Sequence, residues 1–161
     1  MNVVFIGAYD TPDFGGINSY MLNLSKQLER MGHKCLVIRQ SSRDYEDIID
    51  AIHFVNIKTR GGMLGVFELY FKATDILCRG RYSCDIACYQ DFMVAPIVGK
   101  KLQNKGKLCC YLQHSFACDN PKNPQWMYPV EILLTRFSLL FTKHTITVGE
   151  SIAELMKSRL H

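Results

Sequence analysis

Apolar residues along this chain fall into short continuous runs that alternate with longer amphipathic stretches. Asn2 to Ala8 holds Val3, Val4, Phe5 and Ile6 side by side, the pattern of a strand covered on both faces in a parallel sheet. From Ile17 the positions Ile17, Tyr20, Met21, Leu24, Leu28 and Met31 recur at helical spacing, and Gly32 stands where helices commonly stop in the left-handed conformation. The alternation then repeats. Cys35 to Ile38 and His53 to Ile57 predict strands, and Leu64 to Leu77 predicts a helix with Leu64, Phe67, Phe71, Thr74 and Leu77 on one side. Strands are predicted again over Asp85 to Tyr89, Leu108 to Leu112 and His144 to Val148, with helices over Met93 to Leu102 and Val130 to Phe141 between them. Ser151 and Glu154 have the spacing of a capping box that opens a last helix.

Two stretches break the rhythm. Ser41 to Ile52 is polar and acidic at Asp44, Glu46, Asp47 and Asp50, which predicts a loop ending in a short helix. Cys118 to Pro129 is interrupted by Pro121, Pro124 and Pro129 and predicts an irregular excursion. Strands and helices alternating in this way define an α/β fold, a doubly wound parallel β-sheet flanked by helices and joined by right-handed crossovers. There is no internal repeat.

Composition narrows the picture. A chain of 161 residues with 48% hydrophobic content suits a single domain over residues 1–161. The net charge of +4 comes from scattered basic residues, which argues against nucleic acid and leaves room for an anionic small molecule or a membrane surface. Seven cysteines form no C-x-x-C pair and lie mostly within apolar segments, so they read as buried free thiols of a reducing compartment. The amino-terminal residues lack the basic start of a signal peptide, and no apolar run reaches about 18 residues. The expectation is a cytoplasmic protein, at most peripheral to the inner face of a membrane. Around Ile132, Leu133, Phe137, Leu140 and Phe141, beside Arg136 and Lys143, the pattern fits a membrane-lying helix or a core helix, and the strand directly after it favours the core.

Ligands of open parallel sheets bind beyond the carboxyl ends of the strands. That rule selects Tyr9 to Gly16, Lys58 to Gly62, Gln90 with Asp91, Gln113 to Phe116, and Gly149 with Glu150. In the first of these, Gly15 and Gly16 stand directly before a helix, whose free N–H groups and positive dipole end favour a phosphate. The pair also fits a flexible lead into a helix. Neither G-x-x-x-x-G-K-[ST] nor G-x-G-x-x-G is present, and the second strand ends at Arg39 and Gln40 without the acidic residue a ribose needs, which excludes a P-loop and argues against a dinucleotide dehydrogenase. His114 suits a ligand contact or a satisfied structural residue. Asp91 suits a polar contact or a helix cap, and Arg60 with Lys58 suits an anion contact or a solvated loop.

The run from Gly15 to Tyr20, the helix with Leu24 and Leu28, and the turn at Gly32-His33 before Cys35 resemble the opening of the retaining "group 1" glycosyltransferases, family 4-like enzymes of the two-lobed GT-B fold. Asp85 to Tyr89, Leu108 to His114 and Thr145 to Ser151 resemble, in order, the later strands of that family's first, Rossmann-like lobe. The resemblance implies transfer of a sugar from a nucleotide-sugar donor to a glycan or lipid-linked acceptor, in polysaccharide biosynthesis, with no cofactor and no metal. It assigns Gly15 and Gly16 to the donor diphosphate and His114 to the transferred sugar as the catalytic candidate. Asn18, Arg60, Gln90, Asp91 and Glu150 become candidate contacts to sugar or acceptor. In the family Ser precedes Glu at the last of these positions, whereas here Gly149 precedes Glu150 and Ser151 follows. The family's second, nucleotide-binding lobe with its E-x7-E glutamates has no counterpart within these residues, so the expectation is a lobe inactive alone. A non-catalytic glycan- or phosphate-binding lobe, or one half of a split transferase, is the alternative, and a flavodoxin-like or response-regulator-like domain fits less well.

Overall fold

A computed structural model describes residues 1–9, 15–60, 62–90, 95–114, 126–142, 144–147 and 149–160. Its elements are β1 (Asn2–Tyr9), α1 (Gly15–Arg30), β2 (Lys34–Ser41), β3 (Tyr45–Ile49), β4 (Ile52–Lys58), α2 (Gly62–Cys78), β5 (Ile86–Tyr89), α3 (Ala95–Gln103), β6 (Leu108–Gln113), α4 (Met127–Phe141), β7 (His144–Thr147) and α5 (Glu150–Leu160). One seven-stranded sheet runs in the order β3-β4-β2-β1-β5-β6-β7. All of its neighbouring strands are parallel except β3, which pairs antiparallel to β4 at one edge.

The continuous apolar run of β1 is explained by burial on both faces. Val4 and Ile6 point into one core with Tyr70, Ala73 and Leu77 of α2 and Val98 and Leu102 of α3. Val3 and Phe5 point into the other with Met21 of α1, Val37 and Phe54. α1 stops where its sequence says it should. Gly32, at φ +83°, lets the His33 N–H reach the Leu28 carbonyl at 3.0 Å and its own N–H reach Glu29 at 2.9 Å, which satisfies two carbonyls at the helix end. Buried cysteines line both cores as free thiols, and burial pushes Cys35 and Cys84 up to about 11 and Cys109 to about 12, so they stay protonated and unreactive.

Ser41 to Ile52 is a correction to the sequence reading, since it forms an edge hairpin where a loop and short helix were expected. Asp50 and Ala51 occupy its two-residue turn with φ of +52° and +68°, and Ile49 pairs with Ile52 to close it. Every carboxylate that made the stretch look loop-like has a partner. Asp47 accepts from Arg39 at 3.2 Å and from Asn56 at 3.1 Å, and Glu46 meets His53 at 2.8 Å and Arg81 at 2.9 Å. Asp44 accepts from the Lys58 N–H at 2.7 Å, and Asp50 pairs with Lys26 at 2.8 Å. These pairs glue the strand on, and its charges guard an open sheet edge against further pairing.

Two smaller corrections concern the carboxyl-terminal third. α5 begins at Glu150, so Ser151 sits inside its first turn, not at a cap, and the Gly149 carbonyl takes the first helical bond, from Ala153 at 3.1 Å. On α4, Leu133, Phe137 and Leu140 face outward, while Glu131, Thr135 and Ser138 are the buried residues, which reverses the core reading of that helix. Among the described residues no helix is long and apolar enough to cross a membrane.

Candidate functional site

The parallel strands all end on one edge of the sheet, and the connections diverge between β1 and β5. From β1 the chain passes through α1 to β2 on one side, and from β5 through α3 to β6 on the other. A crevice opens at such a switch point.

A buried tyrosine sets the shape of its floor. Register slips between Ile6 and Ala8, and Gly7 takes φ +113° in the resulting bulge. Packed against that bulge, the fully buried Tyr70 hydroxyl donates to the Ile6 carbonyl at 3.2 Å and accepts from the Gln90 N–H at 3.1 Å. One side chain from α2 thus pins the ends of β1 and β5 together. An interior Gly in an apolar strand is a recognisable bulge signal; nothing in the helical pattern of α2 marked Tyr70 as polar glue.

The amino-terminal half of α1 forms one wall. Gly15 and Gly16 are its first two residues, so their N–H groups belong to the unpaired set at the helix start, and no acidic side chain in that turn offsets the dipole. One turn on, Tyr20 meets the His114 ring edge-on, with centroids 5.0 Å apart and planes at 86°. Met21 sulfur contacts the Gln90 amide nitrogen. Gln90 and His114 are thus brought against the second turn of α1, whose first turn carries Gly15 and Gly16.

His114 follows β6 directly and is half-buried, and burial lowers its pKa below the ordinary 6.5, which keeps the imidazole neutral at pH 7. Its Nε2 and the Gln90 Oε1 are both buried without a hydrogen-bond partner among the described residues. A buried polar atom left unpaired costs about 1–3 kcal/mol, and a neutral imidazole offers one donor and one acceptor, so the pair is equipped to meet ligand hydroxyls. The lowered pKa also makes a stability prediction. Because the unfolded chain takes up this proton first, the contribution of neutral His114 is present above about pH 6.5 and is lost as pH falls below it. Urea midpoints should drop between pH 7.5 and pH 5, and less steeply in His114→Phe; equal drops in both proteins would contradict the burial.

The remaining candidates lie apart. Arg60 follows β4, four strand positions from β6, a separation of about 19 Å at ordinary strand spacing. Its backbone is clamped: the N–H donates to Glu68 at 3.0 Å, the carbonyl accepts from Gln40 at 2.8 Å, and a Cβ at Gly65 would run into that carbonyl. Its side chain is exposed at the far flank of the edge. Glu150 is exposed in the first turn of α5, where a carboxylate complements the dipole of its own helix. Asn18 stands in the first turn of α1, with its side chain outside the described residues, and Asp91 lies outside them altogether. A cavity of about 440 Å³ beside Lys34, His53 and Tyr82 opens at the opposite, amino edge of the strands and touches none of these residues.

A family model described as "Glycosyltransferase Family 4" matches residues 14–161. Among solved structures, a sucrose-phosphate synthase from Thermosynechococcus elongatus superposes with a TM-score of 0.70 at 13% identity, over 98% of this chain and 45% of that one. The chain thus spans less than half the length of that protein, and the likeness speaks for the fold. A probable GTP-binding protein aligns over 99% of this chain and 96% of its own at 15% identity, but its TM-score of 0.34 carries no weight. No curated protein sequence matches.

Proposed function

The chain belongs to glycosyltransferase family 4, and we propose that it forms the lobe facing the diphosphate and the transferred sugar of a nucleotide-sugar donor. The observation that carries this reading is the unpaired nitrogen of His114 set against Tyr20, one turn into a helix whose acid-free start carries Gly15 and Gly16. In the reaction the bond between the anomeric carbon and the phosphate oxygen breaks, a bond to an acceptor oxygen forms with retention of configuration, and the acceptor proton leaves with the diphosphate. Negative charge grows on that diphosphate, and the Gly15 and Gly16 N–H groups with the helix dipole stabilise it without a metal ion. His114 holds the sugar by hydrogen bonds, and Gln90 faces the acceptor, a glycan or lipid-linked saccharide in polysaccharide assembly.

Because the similar sucrose-phosphate synthase is more than twice as long, we read this lobe as one wall of a two-walled site, with weak binding and no turnover by itself. Saturation-transfer NMR on the 161-residue chain tests the reading. Nucleoside diphosphates and their sugars should bind and be displaced by pyrophosphate, while free monosaccharides should not bind. Binding of monosaccharides alone would favour a glycan-recognition lobe and overturn the donor assignment.

A further inference from the structure

Two cysteines face each other beneath the crevice. Cys88 of β5 and Cys110 of β6 are register partners on neighbouring parallel strands, and both side chains enter the same core cluster, at 4% and 5% exposure. Such strands run about 4.8 Å apart, within the Cα separation of about 4.4–6.8 Å that a disulfide spans. Among the described residues no other two cysteines are partners across strands. Cys109, although next in sequence, points into the opposite core, and Cys35 lies on β2, two strands from β5 and about 10 Å away at that spacing.

The pair differs chemically from the other buried thiols. The Cys88 S–H donates to the Cys110 sulfur, which lowers the Cys110 thiol below its ordinary value and raises Cys88 well above it, and the Ile146 N–H gives Cys110 a second donor. Cys110 is thus the member that ionises, with a protonated thiol in contact, the arrangement of an attacking and a resolving cysteine. Its place in the fold matters as much. Cys88 stands two residues before Gln90 and Cys110 four residues before His114, so a bond between them would fix the spacing of the two strands that carry those side chains. Tyr20, whose ring meets His114 edge-on, is only partly buried, and after burial itself the two sulfurs are what raise its phenol. That ring connects the thiol pair to His114.

We propose that Cys88 and Cys110 form a reversible disulfide with hydrogen peroxide as oxidant, a redox switch seated under Tyr20 and His114. The Cys110 thiolate attacks the O–O bond and becomes a sulfenic acid, releasing one water. The Cys88 sulfur then displaces the second oxygen as water, so two thiols are oxidised to one S–S bond and one peroxide is reduced to two waters. The proposal stands on the strand register and is independent of the transferase reading. Peroxide treatment of the reduced, native 161-residue chain tests it. Two of the seven thiols should be lost to titration in urea, peptide mass mapping should find Cys88 linked to Cys110, and dithiothreitol should restore both. The amide signals of Gln90 and His114 should shift on oxidation and return on reduction. Cys110→Ser should slow loss of the Cys88 thiol by about tenfold or more, because the thiolate is the attacking species. Cys35→Ala should leave the linkage unchanged, and circular dichroism should show both variants folded. Linkage through any other cysteine, Cys110 carried to sulfinic acid with Cys88 still free, or thiols that resist peroxide in the native chain yet react in urea would each overturn the proposal. So would a disulfide that leaves the Gln90 and His114 signals in place.

Discussion

Gly7→Ala is expected to cost about 3 kcal/mol of stability, a large share of the roughly 5–15 kcal/mol typical of a domain. Two terms combine. Any L-residue at φ +113° is strained by about 1–3 kcal/mol, and the added Cβ would lie 2.5 Å from the hydroxyl of the fully buried Tyr70, where overpacking costs about 1–3 kcal/mol more. Tyr70→Phe removes the hydroxyl and leaves the Ile6 carbonyl and the Gln90 N–H short of a partner, for about 1–3 kcal/mol. The double variant should be less destabilised than the sum of the two, because the clash goes with the oxygen. Urea unfolding of the four proteins measures this; strict additivity would mean that the hydroxyl and the bulge are not in contact.

The second large effect is on activity. His114→Phe keeps a ring against Tyr20 while removing the nitrogens, so it should hold or slightly raise the unfolding midpoint, since an unpaired buried Nε2 disappears. In an enzyme that pairs this lobe with a second one, as proposed, sugar transfer should nevertheless fall by about 100-fold, the scale seen when one positioned hydrogen-bonding group is lost from a transition state. Steady-state kinetics should place the loss mainly in kcat. An unchanged rate would remove His114 from the site, and a collapse in stability would make it structural.

Much of the architecture could be read from periodicity alone. β1, α1 and β2 each carry a pattern that only one local structure satisfies, and Gly32 ends α1 by the bonds its position implies. β3 was not legible for a physical reason. Its turn uses Asp50-Ala51 where Gly would normally signal a hairpin, and its acidic residues are balanced by Arg39, His53 and Arg81, which come from other parts of the chain. α4 misled because hydrophobic residues at helical spacing announce a face without saying whether that face looks inward.

The site divides in the same way. The strand-end rule selected Gly15, Gly16, Gln90 and His114, and the structure sets Gln90 and His114 against Met21 and Tyr20, one turn beyond the two glycines. Arg60 and Glu150 also follow strands, but strand order, which a linear sequence does not encode, puts them toward opposite ends of the edge. Tyr20 and Tyr70 were missed because each acts through a tertiary contact and looks in sequence like any aromatic residue of a helix.

Under the proposed function, the start of α1 receives the donor diphosphate and His114 the sugar. Amide chemical-shift mapping by NMR, with a nucleoside diphosphate titrated into the 161-residue chain, tests this directly. The largest shifts should fall on Gly15, Gly16, Gln90 and His114, with little change at Lys34, His53 and Tyr82 on the amino edge. Shifts concentrated on the amino edge, or none at α1 under saturating ligand, would contradict it.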